Sequence, residues 1–209
     1  MTYTVHESFL TIQGEGAHAG RVAVFCRFAG CNLWTGREED RASAVCRFCD
    51  TDFRGGEKHK TPGPLVLHLS SLWPNGYRPM FAVLTGGEPL LQVDAPLLEA
   101  LHWAGFNVAV ETNGTIRRPR GIDWLCVSPK AGTEIVVSRP DEIKVVYPQI
   151  GVDPESVAMT IDPTRAARCS IQPMDGPEID ANTEAAIAYC LEHPRWRLSL
   201  QTHKMIGVR

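Results

Sequence analysis

The sequence lacks an excess of positive charge, a long apolar run and any internal repeat, and each absence removes a class of function. Lys and Arg total 21 against 24 Asp and Glu, a net charge of −3, which leaves no electrostatic footprint for a nucleic-acid backbone or an anionic lipid surface. No apolar stretch approaches the roughly 20 residues needed to span a bilayer. The segment Met1–Glu7 lacks the basic and apolar regions of a secretory signal. The phosphate-binding pattern Gly-x-x-x-x-Gly-Lys-Ser/Thr is missing. Gly14-Glu-Gly-Ala-His-Ala19 fits a dinucleotide-type spacing, but Arg21 and a strand follow where that motif requires a helix. The cysteines number seven, and an odd count without an export signal reads as free thiols in a reducing cytoplasm.

What is present centres on three of those cysteines. Cys26, Cys126 and Cys190 sit in apolar segments and read as core packing, as does Cys169 with its less apolar flanks. Cys31, Cys46 and Cys49 differ. Cys46-Arg-Phe-Cys49 sets two thiols on one short loop with Phe48 before the second, and 14 residues separate Cys31 from Cys46. Two readings fit the spacing. Structural zinc would be completed by a fourth cysteine or by His6, His18 or His59. A [4Fe–4S] cube held by three thiolates would keep one iron corner open for a small molecule.

The rest of the chain alternates short Ile/Val/Leu/Phe runs with polar clusters. Strands are expected at Arg21–Phe28, Met80–Leu84, Phe106–Val110, Trp124–Val127, Glu142–Val146, Ala167–Ile171 and Arg197–Leu200. The runs lack clean alternation, as strands covered on both faces of a parallel sheet do. Helices are expected at Pro64–Trp73, Val93–Ala104 and Asn182–Glu192, with Asp94 and Asn182 or Thr183 as N-caps and Gly105 as a stop. Later connections look too short for helices. Polar clusters at strand C-termini are the layout of a barrel with its active site on top, and a complete barrel takes about 250 residues. At 209 residues the expectation is an α/β fold, an open, partial TIM-like (β/α) barrel. It has about six core strands and three helices in one domain spanning 1–209, with a cluster-binding loop at 30–50. The Thr35–Val45 segment reads as a solvated turn or short helix, and lengthening a loop costs little entropy.

Thr85-Gly-Gly-Glu-Pro89 is the second chemical signal. Two glycines after a strand let a ligand approach the backbone closely, Pro89 sets the start of the next segment, and Glu88 offers acceptors to an ammonium group. A plain strand-to-helix turn fits the same residues. Three cysteines with an aromatic residue before the last, followed by a strand and Gly-Gly-Glu-Pro, resemble the radical S-adenosylmethionine superfamily. Within it, the ordered set Thr11-Ile-Gln-Gly-Glu-Gly16, Arg27-Phe-Ala-Gly-Cys-Asn-Leu-Trp34, Cys46-Arg-Phe-Cys-Asp-Thr-Asp52, Thr85-Gly-Gly-Glu-Pro89, Glu111-Thr-Asn-Gly114, Val127-Ser-Pro-Lys130, Gln172-Pro-Met-Asp175 and Gln201-Thr-His-Lys204 resembles the 7-carboxy-7-deazaguanine synthase family. The wide first cysteine spacing departs from the superfamily's usual one and occurs in one branch of this family.

The resemblance implies a radical rearrangement of 6-carboxy-5,6,7,8-tetrahydropterin to 7-carboxy-7-deazaguanine with loss of ammonia, in 7-deazapurine (queuosine) biosynthesis. It implies that Cys31, Cys46 and Cys49 hold a [4Fe–4S] cluster. S-adenosylmethionine would meet Phe48, Gly86, Gly87, Glu88, Ser128, Pro129, Lys130 and Gln172. A pterin would meet Ile12, Gln13, Gly14, Glu15, Arg27, Thr85, Asp175 and His203, with Arg27 suited to pair bidentately with a carboxylate. Thr51 would ligate Mg²⁺ directly, with Asp50 or Asp52 behind it; an Asx turn explains the same triplet. His203 fits a structural role equally well, and Glu111, Thr112 and Asn113 either support a ribose or shape a turn. Trp34, Trp73, Trp103, Trp124 and Trp196 read as packing. The implied partners are a flavodoxin- or ferredoxin-type electron donor and a second copy in a homodimer. Two alternatives stand beside this reading: a glycyl-radical activating enzyme and a non-enzymatic zinc module.

Overall fold

Strand-forming runs dominate the computed structural model, which describes residues 2–74 and 76–209; Met1 and Asn75 lie outside it. The strands are β1 (Tyr3–Ile12), β2 (Val22–Phe28), β3 (Glu57–His59), β4 (Met80–Gly86), β5 (Phe106–Thr112), β6 (Trp124–Val127), β7 (Glu142–Tyr147), β8 (Arg168–Pro173) and β9 (Trp196–Leu198). The α-helices are α1 (Pro62–Leu72), α2 (Ala95–Ala104), α3 (Pro154–Ile161), α4 (Ile179–Glu192) and α5 (Thr202–Ile206). All nine strands form one sheet in the order β3-β1-β2-β4-β5-β6-β7-β8-β9. Every neighbouring pair from β2 to β9 is parallel, whereas β1 runs antiparallel to both β2 and β3. The sheet does not close on itself, which makes it a partial barrel.

The expected strands and helices all form, with boundaries moved by one to three residues at most ends. Four elements were not expected. β1 carries His6, Glu7, Ser8 and Thr11, and a register shift between Val5 and Glu7 breaks its alternation, so it does not read as a strand. β3 is only three residues long. α3 was excluded as too short, yet Asp153 caps it by accepting from the Ser156 amide at 2.9 Å and Pro154 opens it. α5 is five residues of polar sequence. Asp94 caps α2 as expected, and Gly105 ends it at φ 94°. α4 instead begins at Ile179, before the expected caps. Asn182 Nδ2 donates to the Met174 carbonyl and Thr183 Oγ1 to the Ile179 carbonyl.

Alternation is present after all, but its two faces are not polar and apolar in the usual sense. On the outer face Val24, Cys26 and Phe28 of β2, Ala82 and Leu84 of β4, Val108 and Val110 of β5, Ile143 and Val145 of β7 and Ile171 of β8 join Leu65, Leu69, Leu97, Leu98, Leu101 and Ile161 of the helices in one core. On the inner face a small apolar layer of Phe9, Ala23, Phe25, Phe81, Val83 and Ala109 fills the lower interior. One step further along the same strands the inner positions are Arg27, Thr85, Glu111, Lys144 and Gln172. Side chains on one strand face repeat every second residue, so the helix-packed core fixes these polar groups on the concave side.

The first strand is tied to the second helix through one carboxylate. The Tyr3 hydroxyl, fully buried, donates to Asp94 Oδ1 at 2.7 Å, and the same oxygen accepts from the Leu97 amide at 3.1 Å. Burial and the neighbouring carboxylate both push the Tyr3 phenol above its ordinary pKa. Asp94→Ala removes a cap worth about 1 kcal/mol and leaves a buried hydroxyl unpaired at a cost of about 1–3 kcal/mol. Urea unfolding of the metal-free chain is expected to show a loss of about 2–4 kcal/mol, with Asp94→Asn recovering part of it.

Candidate active site

A cavity of about 380 Å³ opens at the C-terminal ends of the parallel strands. Its wall at β4 is built by two glycines. Gly86 adopts φ 121°, and a Cβ there would lie 2.3 Å from the Phe28 carbonyl oxygen; a Cβ on Gly87 would lie 2.0 Å from that of Gly30. The backbone is pinned in this close approach, with the Gly87 amide donating to Phe28 O at 3.1 Å and the Glu88 amide to Gly30 O at 2.9 Å. Only glycine fits at either position.

Glu88 departs from its expected role. Its side chain is buried and does not line the cavity. Oε1 accepts from the Leu90 amide at 2.9 Å and from Thr112 Oγ1 at 2.7 Å, and Oε2 from the Asn113 amide at 2.8 Å. Burial raises its pKa, against the pull of these hydrogen bonds. The carboxylate is therefore a buckle between β4 and β5, and the wall left for an ammonium group here is backbone. Pro129 is likewise buried off the wall.

Every other expected site residue lines the cavity, including all three cysteines. Cys31, Cys46 and Cys49 are free thiols. Behind them Trp34, Ala44 and Phe53 form an apolar cluster against which Cys31 and Cys49 pack. Cys46 donates its proton toward Cys49, which lowers the Cys49 pKa to about 7 and raises that of Cys46. Burial raises Cys31. Among the described residues no three His, Cys, Asp or Glu side chains converge on a point that would suit a single ion. Three free thiols lining one end of a cavity, with an apolar backing, are a ligand set that a [4Fe–4S] cube can use. Within Thr35–Val45, Ala44 joins the apolar cluster, and residues Glu38–Ser43 before it form a 3₁₀ turn that buries none of its own residues. Arg41 returns from it across the Trp34 ring at 4.2 Å and donates to the carbonyl oxygens of Arg47 at 2.7 Å and Cys49 at 3.1 Å. The sequence reading treated this arginine as part of a solvated insertion and missed the clamp.

The floor of the cavity is charged. Arg27 lines the cavity and pairs through Nε with Glu7 Oε1 at 3.1 Å. Glu15 Oε2 accepts from Lys144 Nζ at 2.5 Å and Oε1 from Gln201 Nε2 at 2.9 Å. Burial alone would raise Glu15, but the Lys144 ammonium holds it at about 2. Lys144 itself, with Glu111 and Glu15 around it, is held well above its ordinary pKa against the effect of burial. Lys130 Nζ donates to Ser128 O and Ser128 Oγ, both at 2.7 Å, and burial lowers its pKa. Sequence reasoning named neither Lys144 nor Gln201 as functional; a lysine in the middle of a β-strand core was the available signal.

The rim joins distant segments. Lys204 Nζ bridges Asp50 Oδ2 and Asp175 Oδ2, each at 2.6 Å. Gly14 lies so close to His203 that a Cβ would fall 2.2 Å from Nδ1. This is why a glycine stands there and not because of a nucleotide motif. Asp52 is engaged by Arg54 at 3.2 and 3.3 Å, which draws its pKa down to about 2. Thr51 Oγ1 makes only a 3.4 Å contact with Asp50. Of the Asp50–Asp52 triplet, its hydroxyl is the least engaged donor set, in keeping with a magnesium ion that keeps most of its waters.

No protein-family model matches the chain. Over its full length it is 56% identical to a 7-carboxy-7-deazaguanine synthase of Bradyrhizobium diazoefficiens and 54% identical to one of Caulobacter vibrioides, covering the whole of both. A Bacteroides thetaiotaomicron protein of the same name is 39% identical, again over both full lengths. The crystal structure of QueE from Escherichia coli superposes with a TM-score of 0.72 at 27% identity, covering 96% of this chain and 94% of that one.

The Arg41 clamp makes a separable prediction. Arg41→Ala should leave the urea stability of the metal-free chain within about 0.5 kcal/mol, as for other surface changes. Iron loss from the reconstituted protein to a chelator should become several-fold faster. Unchanged iron retention would remove Arg41 from the cluster loop's support.

Proposed function

This chain belongs to the 7-carboxy-7-deazaguanine synthase family, and we propose on that footing how its cavity carries the reaction. Enzymes of the family are radical S-adenosylmethionine lyases of the queuosine pathway that rearrange 6-carboxy-5,6,7,8-tetrahydropterin to 7-carboxy-7-deazaguanine. The family requires S-adenosylmethionine and a [4Fe–4S] cluster, which sets aside the zinc module, and the full-length identity to its members sets aside an activating enzyme. The single observation that carries the reading is the meeting of three thiols, the Gly86–Gly87 turn and the Arg27 guanidinium around one cavity.

When bound, the cluster and S-adenosylmethionine supply a 5′-deoxyadenosyl radical able to open one substrate C–H bond. The chain's task is to bind, orient and keep out water and stray hydrogen donors. Cys31, Cys46 and Cys49 hold the cluster. Gly86 and Gly87 would present backbone to the methionine amino group, Phe48 would face the adenine, Ser128 and Lys130 would hold the ribose and carboxylate, and Gln172 would complete the cofactor's surroundings. Arg27 pairs bidentately with the pterin carboxylate. Glu15, ionised, accepts from the N–H edge of the pterin beside the backbone of Ile12 and Gly14, with Gln13 setting the floor, and Thr85, Asp175 and His203 complete the enclosure. Thr51 ligates Mg²⁺. Residues 1–209 work as one domain, in the cytoplasm, as a homodimer supplied with electrons by a flavodoxin or ferredoxin. Among the described residues no helix is long and apolar enough to cross a membrane.

Under strict anaerobiosis the reconstituted chain should convert carboxytetrahydropterin without net consumption of S-adenosylmethionine. Cleavage of the cofactor in step with product, one for one, contradicts the catalytic use of the cofactor, and absence of product contradicts the substrate. For magnesium, Thr51→Ala should lower activity at least tenfold while cluster absorbance stays intact. A magnesium dependence identical to wild type would strike Thr51 from the site.

A further inference from the structure

Lys144 sits in the middle of β7 on the cavity floor, with its side chain 6% exposed. It closes a ring with three other residues, Glu15, Glu111 and Gln13. Lys144 Nζ donates to Glu15 Oε2 at 2.5 Å and lies 3.5 Å from Glu111 Oε2. Glu111 Oε1 accepts from Gln13 Nε2 at 2.9 Å, and Gln13 Oε1 accepts from the Glu15 amide at 3.1 Å. The ring draws on three segments: the Gln13–Glu15 turn, β5 and β7. It fixes the rotamers of both Gln13 and Glu15 before any ligand arrives. With two carboxylates to one ammonium, it leaves one negative charge unmatched.

We propose that Lys144 is a positioning residue that sets substrate specificity. By clamping Glu15 as an oriented carboxylate it makes the floor select a heterocycle edge with two adjacent N–H donors, such as a 2-amino-4-oxopyrimidine, over one that presents an acceptor. The inference rests on the pterin reading above and adds to it a residue that acts through Glu15. The charged and titratable groups facing Glu15 are Lys144 and Glu142 from β7, Glu111 from β5, Cys126 from β6 and His203 from α5, with His18 on the 3₁₀ turn Gly16–His18 lining the small space beneath. Lys144 is the nearest cation. With it in place Glu15 stays ionised down to about pH 2, so its contribution to binding is flat through neutrality. Without it, burial dominates and raises Glu15. The acceptor is then lost as pH falls through the new, higher value.

Equilibrium dialysis of 6-carboxypterin against the anaerobically reconstituted protein, from pH 6 to pH 8, tests this apart from turnover. The ratio of Kd in Lys144→Met to wild type should be about tenfold or more at pH 6 and shrink toward pH 8. Lys144→Arg should stay within about threefold at every pH. Adding Lys144→Met to Glu15→Gln should weaken binding no further than Glu15→Gln alone. A ratio near one, a ratio independent of pH, or a Lys144→Arg chain as impaired as Lys144→Met overturns the inference. Should the methionine variant fail to fold, the arginine variant and the double substitution decide. If the wild type neither binds 6-carboxypterin nor turns over the pterin, the functional reading itself fails. Wild-type binding with an indifferent Lys144→Met sinks the positioning role alone.

Discussion

A single buried carboxylate organises the upper half of this fold. Glu88 takes three hydrogen bonds, two from the end of β5 and one from the turn after Glu88 itself, and its backbone amide holds the Gly30 carbonyl next to Cys31. An anion out of water is tolerable only where its lone pairs are filled, so the β4 turn, the β5 terminus and the start of the cysteine loop must keep their relative places. The two glycines then have no room for a side chain, and the cavity wall becomes bare backbone. The Gly-Gly-Glu-Pro segment thus serves ligand binding by combining a fixed anchor that faces away with an exposed main chain that faces in.

Below and around that wall the charges differ in mobility. The Lys144 ring is sealed, with its ammonium 6% exposed, and its electrostatics act in a low-dielectric setting where they are strong. The Lys204 bridge to Asp50 and Asp175 has side chains 38–42% exposed, and exposed ion pairs contribute about 0–1 kcal/mol. The floor is therefore rigid while the rim opens at little cost. Gln201 touches both systems, through Glu15 at 2.9 Å and Asp50 at 3.4 Å. A ligand that engages Glu15 is thereby connected to the loop that carries Cys49.

The parallel strands, the helices α1, α2 and α4, and the cysteines and many of the polar residues of the cavity lining were legible in the sequence. They were legible because strand runs end in polar clusters whose residue types are chemically distinctive. What escaped depends on contacts between remote segments. β1 is held by pairing to β2 and β3 and not by its own pattern. α3 has its cap and proline in plain view but only eight residues. The inward turn of Glu88 follows from three donors brought by β5 and the segment after β4, which spacing cannot reveal. Gln201 and Lys204 take partners up to 186 residues away, whereas Arg41, read as part of a solvated segment, turns back onto its own loop. The missed alternation has a simpler cause: the inner face is apolar below and charged above, so neither period two nor uniform burial describes it.

On the proposed function, three protein thiolates leave one iron open at the end of this cavity. Mössbauer spectroscopy of the ⁵⁷Fe-reconstituted protein, with and without S-adenosylmethionine, reads that iron separately from the rest. About four irons per chain are expected, of which one changes its parameters when the nucleoside is added while the other three hold theirs. Four irons that all ignore S-adenosylmethionine, or a site that takes up a single zinc and no cluster, would contradict it.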